Sequence, residues 1–142
     1  MSIDEAMLVK EAFKAREMAY TPYSNFKVGA ALLTKEGKIY HGCNIENASY
    51  TPTNCAERTA FFKAVSEGER DFAAIAIVGF AEGTTPELEE YAYPCGVCRQ
   101  VMREFVNPQE FKVIVASRED HYQIYTLEQL LPQSFGPDNL LK

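Results

Sequence analysis

The pattern of apolar and polar positions predicts that the chain opens with a helix and continues into a β-hairpin. Apolar residues recur at helical spacing up to about Tyr20, the segment Ser2–Glu5 has the form of a capping box, and Pro22 is expected to end the helix. Residues 26–34 become continuously apolar, which is typical of a strand buried on both faces. A Lys-Glu-Gly-Lys turn then leads into a returning strand at 39–44.

The rest of the chain alternates helices with strands. Asn54, with Glu57 three places later, has the pattern of an N-cap and predicts the start of a second helix. Pro94 suits the first turn of a third helix. The remaining predicted elements are a strand at 72–80, the third helix at 95–105, strands at 111–117 and 122–125, and a short helix from 126 to 132. The order αββαβαββα indicates an α/β fold with helices on both faces of the sheet.

Composition and charge narrow the possible functions. The chain has 142 residues, 46% of them hydrophobic, and no linker or repeat, so one domain spanning 1–142 is expected. Its net charge of −6, with no basic cluster, disfavours a nucleic-acid partner. The longest apolar run, Phe72–Ala81, is half of the roughly 20 residues that span a bilayer, and no secretory signal is visible. We therefore expect a cytoplasmic protein without a membrane partner.

The four cysteines carry the clearest chemical signal. Cys95 and Cys98 form a Cys-x-x-Cys pair, which in a chain without a secretion signal indicates metal or redox chemistry. A thioredoxin-type motif is expected near the start of a βαβ unit, whereas this pair opens a late helix. Cys55 and the pair both lie at predicted helix N-termini, where thiolates are stabilised. Three thiolates leave one position of a tetrahedral Zn²⁺ open, as a catalytic site requires.

Two kinds of zinc site fit these cysteines. Cys43 as a fourth ligand would give a closed, structural site, and a structural zinc module therefore stays an alternative. Glu57 favours the catalytic site, because two residues after Cys55 its carboxylate can reach the ligand sphere without occupying it. The combination Cys-x-Glu with Pro-Cys-x-x-Cys matches the signature of zinc deaminases. His41 and His121 lack metal-type spacing to a cysteine.

Five segments together resemble the small, homotetrameric cytidine deaminases, in that family's order. They are PYSNFKVGAAL at 22–32, GCNIENASY at 42–50, CAERTA at 55–60, PCGVCRQ at 94–100 and LLPQSF at 130–135. The resemblance implies a three-layer α-β-α cytidine deaminase-like fold with a mixed five-stranded sheet. It also implies zinc-dependent hydrolytic deamination of cytidine and 2′-deoxycytidine, in pyrimidine salvage. A blasticidin-type or other small-molecule aminopyrimidine deaminase is the alternative within the class.

The resemblance also implies roles for individual residues. One Zn²⁺ per subunit would be held by Cys55, Cys95 and Cys98, while Glu57 moves protons and Arg58 offsets the negative charge of the thiolates. The residues implied to bind the nucleoside are Phe26, Asn44, Ile45, Glu46, Tyr50, Ala56 and Phe135. In the implied homotetramer the active sites lie at subunit interfaces, with Phe135 and Tyr50 reaching across them.

Overall fold

A computed structural model describes residues 2–141, which form a five-stranded sheet with helices on both faces. The helices are α1 (Glu5–Arg16), α2 (Ala56–Ser66), α3 (Gly96–Phe105) and α4 (Leu127–Leu130). The strands are β1 (Phe26–Thr34), β2 (Ile39–Cys43), β3 (Phe72–Ala81), β4 (Lys112–Arg118) and β5 (His121–Thr126). A short 3₁₀ turn, Pro137–Asn139, follows α4 and was not predicted. The predicted order of helices and strands is confirmed.

The sheet is mixed, with the strand order β2-β1-β3-β4-β5. Strand β1 lies between β2 and β3 and is antiparallel to both, while β4 pairs antiparallel with β5. Strands β3 and β4 are parallel, so the chain must cross over between them, and α3 lies in that connection. This arrangement confirms the mixed five-stranded sheet.

Two apolar cores lie between the sheet and the helices, one on each face of the sheet. On one face α1 buries Leu8, Val9 and Ala12 against alternate residues of β1 and β3. On the other face α2 and α3 bury Phe61 and Met102 against the opposite residues of the same strands. The two cores confirm the three-layer α-β-α fold. Within residues 2–141, no helix is both long and apolar enough to cross a bilayer.

The bounds of α1 differ from the prediction at both ends. The N-cap is Asp4, whose carboxylate accepts a hydrogen bond from the Met7 amide at 3.0 Å, so a capping box beginning at Ser2 is wrong. The helix ends at Arg16 and does not reach Pro22, because the next amides bond three residues back and the chain then leaves the helix. The amide of Tyr20 instead donates to Asn44, beside the end of β2.

Candidate active site

The N-termini of α2 and α3 converge and bring three cysteines together. Cys55 is the N-cap of α2, Cys95 is the N-cap of α3, and Cys98 lies in the first turn of α3. The Cys55 and Cys95 Sγ atoms are 3.9 Å apart, those of Cys95 and Cys98 are 3.4 Å apart, and all three lie within 4.8 Å of one another. Two thiolates bound to one tetrahedral zinc at about 2.3 Å lie about 3.8 Å apart. The cluster therefore fits a metal ion of this kind.

Close packing of α2 on β2 brings Cys55 to this position. A Cβ atom at Gly42 would overlap the carbonyl oxygen of Ala56 and the amide of Ala60, so only glycine lets the first turn of α2 approach the strand. The predicted N-cap at Asn54 is wrong. Its backbone pairs with Ile45 and its side-chain amide donates to Thr59, so Cys55 takes the cap position without a side-chain capping bond.

Hydrogen bonds, charge and burial shift the pKa values of Cys55 and Cys98. A hydrogen bond from Cys98 and the neighbouring Arg58 guanidinium lower the pKa of Cys55 to about 5. Arg58 Nη2 lies 3.2 Å from the Cys55 Sγ atom. The bond to Cys55, together with burial, raises the pKa of Cys98. Cys43, the fourth ligand of the alternative closed site, does not belong to the cluster, and burial raises the pKa of its thiol.

Glu57 places a buried carboxyl group beside the cysteines. The residue lies in the first turn of α2 and is only 4% exposed. Burial raises the pKa of Glu57 to about 7; the charge of Cys55 acts in the same direction, and the residue's own backbone amide opposes it. A carboxyl group in such a setting can hold or release a proton near neutral pH.

A cavity of about 360 Å³ opens onto these groups, within the usual size range of small-molecule sites. Its lining includes seven of the predicted site residues: Phe26, Asn44, Glu46, Cys55, Ala56, Glu57 and Cys95. Cys98 and Arg58 lie behind this wall, where they contact Cys95 and Cys55. The structure therefore brings the expected metal ligands, the expected acid-base residue and several expected substrate contacts to one site.

Asn44 and Glu46 hold the wall of the cavity in addition to lining it. The Asn44 side chain accepts from the Val28 amide at 2.9 Å and donates to the Phe26 carbonyl at 2.8 Å. The Glu46 carboxylate accepts from the Ser24 hydroxyl and from two backbone amides of the same turn. The Ser24 hydrogen bond is the largest cause that lowers the pKa of Glu46. Both side chains thus fix the start of β1, where Phe26 lies.

Three of the predicted substrate residues lie outside this cavity. Ile45 pairs its backbone with Asn54, and its side chain is 44% exposed. Tyr50 is 93% exposed and lines a neighbouring cavity of about 260 Å³, which shares Glu46 and Thr53 with the first. Phe135 is 59% exposed and touches neither cavity. Within one chain, these three side chains do not complete the site.

Several residues of the cavity wall were not predicted from the sequence. They are Val28, Thr53, Asn54, Ile77, Ala92 and Tyr93. Thr53 and Tyr93 have a sequence signal, since they lie just before Cys55 and before the Pro94-Cys95 pair. Ile77 has no such signal, because an apolar residue in a predicted central strand indicates a core position, and only the three-dimensional structure shows that it lines a cavity. The Tyr93 hydroxyl is 3.2 Å from that of Tyr125 on β5.

Comparisons with known proteins agree on one family. The family model for the cytidine and deoxycytidylate deaminase zinc-binding region matches residues 1–115. The chain is 50% identical over 138 residues to the cytidine deaminase of Sporosarcina psychrophila, covering 97% of this chain and 96% of that protein. It is 51% identical over 138 residues to the cytidine deaminase of Halalkalibacterium halodurans, covering 97% and 98%. A crystal structure of cytidine deaminase from Burkholderia pseudomallei superposes with a TM-score of 0.83 at 47% identity, covering 94% of this chain and 100% of that one.

Proposed function

This chain belongs to the cytidine and deoxycytidylate deaminase family, a family of hydrolases, and we propose that it converts cytidine and 2′-deoxycytidine to uridine and 2′-deoxyuridine with release of ammonia. One observation carries the proposal. The buried carboxyl group of Glu57 lies beside three clustered cysteines at the wall of a cavity of suitable size. Removal of an amino group by water needs a proton carrier at such a place.

Cys55, Cys95 and Cys98 are the proposed zinc ligands. Their sulfur atoms are spaced as a tetrahedral site requires, and thiolates are donors that zinc prefers. Arg58 places a positive charge against Cys55, which offsets part of the negative charge that three thiolates bring to the ion. A zinc ion held here supplies a Lewis acid that makes a water molecule acidic enough to react near neutral pH.

Glu57 carries the protons of the reaction. It accepts a proton from the attacking water and delivers it to N3 of the pyrimidine as the water oxygen bonds to C4. It then takes the remaining hydroxyl proton and passes it to the amino group. The C4–N bond breaks, ammonia leaves, and a carbonyl group remains at C4. Each proton that Glu57 accepts it also gives up, so the residue ends the cycle unchanged.

The nucleoside is proposed to lie against Phe26, with its ribose towards Asn44 and Glu46. An exposed aromatic ring at the cavity wall can stack on the pyrimidine. The Asn44 amide has a second N–H, and the Glu46 carboxylate has lone pairs left after its bonds to the Ser24 turn. These groups suit ribose hydroxyls. Ala56 lines the same cavity and is a further proposed contact within the chain, whereas Ile45 lies outside the cavity and is proposed to act only by holding the backbone between Asn44 and Glu46.

Tyr50 and Phe135 are proposed to act across subunit interfaces of a homotetramer. Both are large aromatic residues that one chain leaves exposed, and aromatic residues are enriched at interfaces. The cavity of one chain is open on its own, and the Tyr50 and Phe135 side chains of neighbouring subunits would complete it. Light scattering is expected to give about four times the chain mass of 16.0 kDa. A monomer would contradict both the assembly and these two roles.

The proposal extends to the setting of the enzyme. We treat residues 1–142 as one catalytic domain that acts in the cytoplasm, in pyrimidine salvage, on a free nucleoside. The net charge of −6 supports a nucleoside substrate over a polynucleotide, because nucleic-acid binding relies on positive charge.

The decisive test is turnover of a substrate panel with zinc measured on the same sample. Purified protein is incubated with cytidine, deoxycytidine, cytidine monophosphate, adenosine and blasticidin S, and the ultraviolet change on deamination is followed. Turnover of the two cytidine nucleosides with one zinc per chain is expected. Turnover of blasticidin S alone would show that the protein is a blasticidin-type deaminase. Zinc without any turnover would favour a structural zinc site.

Two glutamate variants test the role of Glu57. Glu57→Gln is expected to keep zinc and to lose turnover, because an amide cannot carry the proton. Glu104→Gln, on an exposed position of α3, removes a carboxylate of the same size and is expected to change neither. Substantial turnover by Glu57→Gln would show that another group moves the proton.

A further inference from the structure

One face of α3 holds the C-terminal segment of the chain. Gln100 Nε2 donates to the carbonyl oxygen of Phe135 at 2.9 Å, and Arg103 Nε donates to the Ser134 hydroxyl at 2.9 Å. Arg103 also pairs through Nη2 with Asp138 at 2.6 Å. These bonds attach the turn formed by residues 133–138, called here the C-terminal turn, to the helix that begins at Cys95.

Arg103 is the centre of this attachment. Its side chain is only 11% exposed, although Asp138 is 76% exposed. Hydrogen bonds from two of its nitrogen atoms, on a side chain that is largely covered, hold the planar guanidinium in one orientation more firmly than an exposed ion pair would. The position therefore differs from an ordinary surface salt bridge, which contributes little to stability or geometry.

The backbone of the C-terminal turn is shaped around the guanidinium group. A Cβ atom at Gly136 would overlap the Arg103 Cζ and both terminal nitrogen atoms, so the absence of a side chain there makes room for the arginine. Gln133, at the start of the turn, has a φ of 54°, a conformation that residues other than glycine rarely adopt. The surrounding contacts must hold such a backbone in place.

The same helix also reaches the metal-binding loop. Arg99 donates from Nε to the Pro94 carbonyl at 2.7 Å and from Nη1 to the Leu130 carbonyl. Pro94 immediately precedes the ligand Cys95, and Leu130 ends α4, just before the C-terminal turn. One helix therefore connects two zinc ligands at its N-terminus with Phe135 along its side.

We propose that Arg103, with Gln100, is a positioning residue that fixes the C-terminal turn so that Phe135 projects at the angle needed to contact the nucleoside. The inference rests on the proposed function, in which Phe135 closes a neighbouring subunit's cavity. Arg103 touches no substrate and acts only through the ring that it places. Its loss is therefore expected to weaken nucleoside binding and to leave the chemical step unchanged.

A double-mutant cycle with Phe135 tests the proposal. The variants are Arg103→Met, Phe135→Ala and the two combined, assayed with cytidine on the zinc-loaded enzyme. Phe135→Ala is expected to raise KM about tenfold, as loss of one ring stacked on a base does, with kcat within about twofold. Arg103→Met is expected to raise KM about fivefold, and the double variant should match Phe135→Ala alone because both changes remove the same contact.

Arg70→Met is the matched control. Arg70 is exposed and also donates to backbone carbonyl groups, but those of Val65 and Glu69, near the C-terminal end of α2. Its KM should be that of the parent enzyme. If Arg103→Met does not fold, the combined change Ser134→Ala and Asp138→Ala removes both acceptors from the C-terminal turn and leaves Arg103 in place, and it should raise KM in the same way.

The possible outcomes separate the inference from the proposed function. If Phe135→Ala raises KM but the effect of Arg103→Met multiplies with it, Phe135 keeps its role and the positioning inference is overturned. If Arg103→Met lowers kcat or the zinc content at unchanged KM, the inference is likewise overturned. If Phe135→Ala leaves KM unchanged, the proposed substrate contact itself fails, and the inference fails with it.

Discussion

Removal of the Arg58 guanidinium is expected to slow catalysis while zinc stays bound. Arg58 Nη2 lies 3.2 Å from the Cys55 Sγ atom, and the Nε atom of the same side chain is buried. Three thiolates around Zn²⁺ leave a net charge of −1, which makes a bound water a weaker acid. Without Arg58 that negative charge is no longer offset, and the reacting water should lose its proton less readily.

The size of the effect follows from the contact. Unit charges 3.2 Å apart attract by about 5 kcal/mol at an effective dielectric constant of about 20, which is an upper limit. Hydrogen bonds to charged groups contribute a net of about 1.5–3 kcal/mol to stability. The bond to Cys55 already exists before reaction, so only the part that changes with the transition state reaches kcat. We therefore expect about 1.4 kcal/mol, or a tenfold loss of kcat.

The assay compares Arg58→Gln, Arg58→Lys and the control Arg70→Gln. Steady-state rates with cytidine, zinc per chain and the pH dependence of kcat/KM are measured on each. Loss of a nearby cation raises the pKa of a group that must deprotonate, so the rising limb of the pH profile should move to higher pH in Arg58→Gln. Lysine should restore part of the rate, since it keeps the charge without the planar fork. A kcat for Arg58→Gln within twofold of the parent, at full zinc content, would refute the reasoning.

Three further predictions test the cluster and its support. Cys95→Ala should lose zinc and turnover, whereas Cys43→Ala should keep both, as measured by zinc content and rate; zinc loss in Cys43→Ala would support a closed four-cysteine site. Gly42→Ala should lower the free energy of unfolding by about 1–3 kcal/mol in urea, because the methyl group overlaps the α2 backbone. Phe61→Ala should lower it by about 3–5 kcal/mol, since its fully buried ring packs against three other rings; a loss below 1 kcal/mol would contradict this packing.

Local chemistry in the sequence predicted most of the fold. Strand β1 has the predicted bounds, Phe26–Thr34, and it is buried from Gly29 onwards, where its residues become continuously apolar, because a strand in the middle of a covered sheet needs apolar residues on both faces. The short helix predicted from 126 is confirmed, although it ends at Leu130 and not at 132, and it begins with a Thr126–Gln129 capping box whose two bonds lie within four residues of chain. By contrast, α1 ends early at Arg16 because Tyr20 pairs with a distant segment, and no local pattern contains that contact.

The site was predictable where its chemistry lies in short motifs and not where it depends on assembly of the chain. Cys55, Glu57 and the Cys95/Cys98 pair carry their signal in residue type and spacing. Ile77 of the cavity wall lies in β3, and the apolar sequence of that strand indicates only that it is buried. The link between Arg103 and residues 134–138 joins positions more than thirty residues apart, and an arginine near the end of a predicted helix gives no sign of it in the sequence.

The N-cap of α2 is the place where the structure departs from a capping rule for a chemical reason. A residue such as serine at position 55 would accept a bond from the first turn, which is typically worth about 1 kcal/mol, whereas Cys55 makes no side-chain capping bond. We infer that the Cys55 side chain makes no capping bond because its thiolate is directed towards the metal site, which leaves the helix without that stabilisation. With a chelator present, Cys55→Ser should melt at or above the temperature of the parent chain, although it loses zinc and turnover. A melting temperature several degrees below that of the chelated parent would show that Cys55 stabilises the helix directly, and that binding the metal costs the fold nothing at this position.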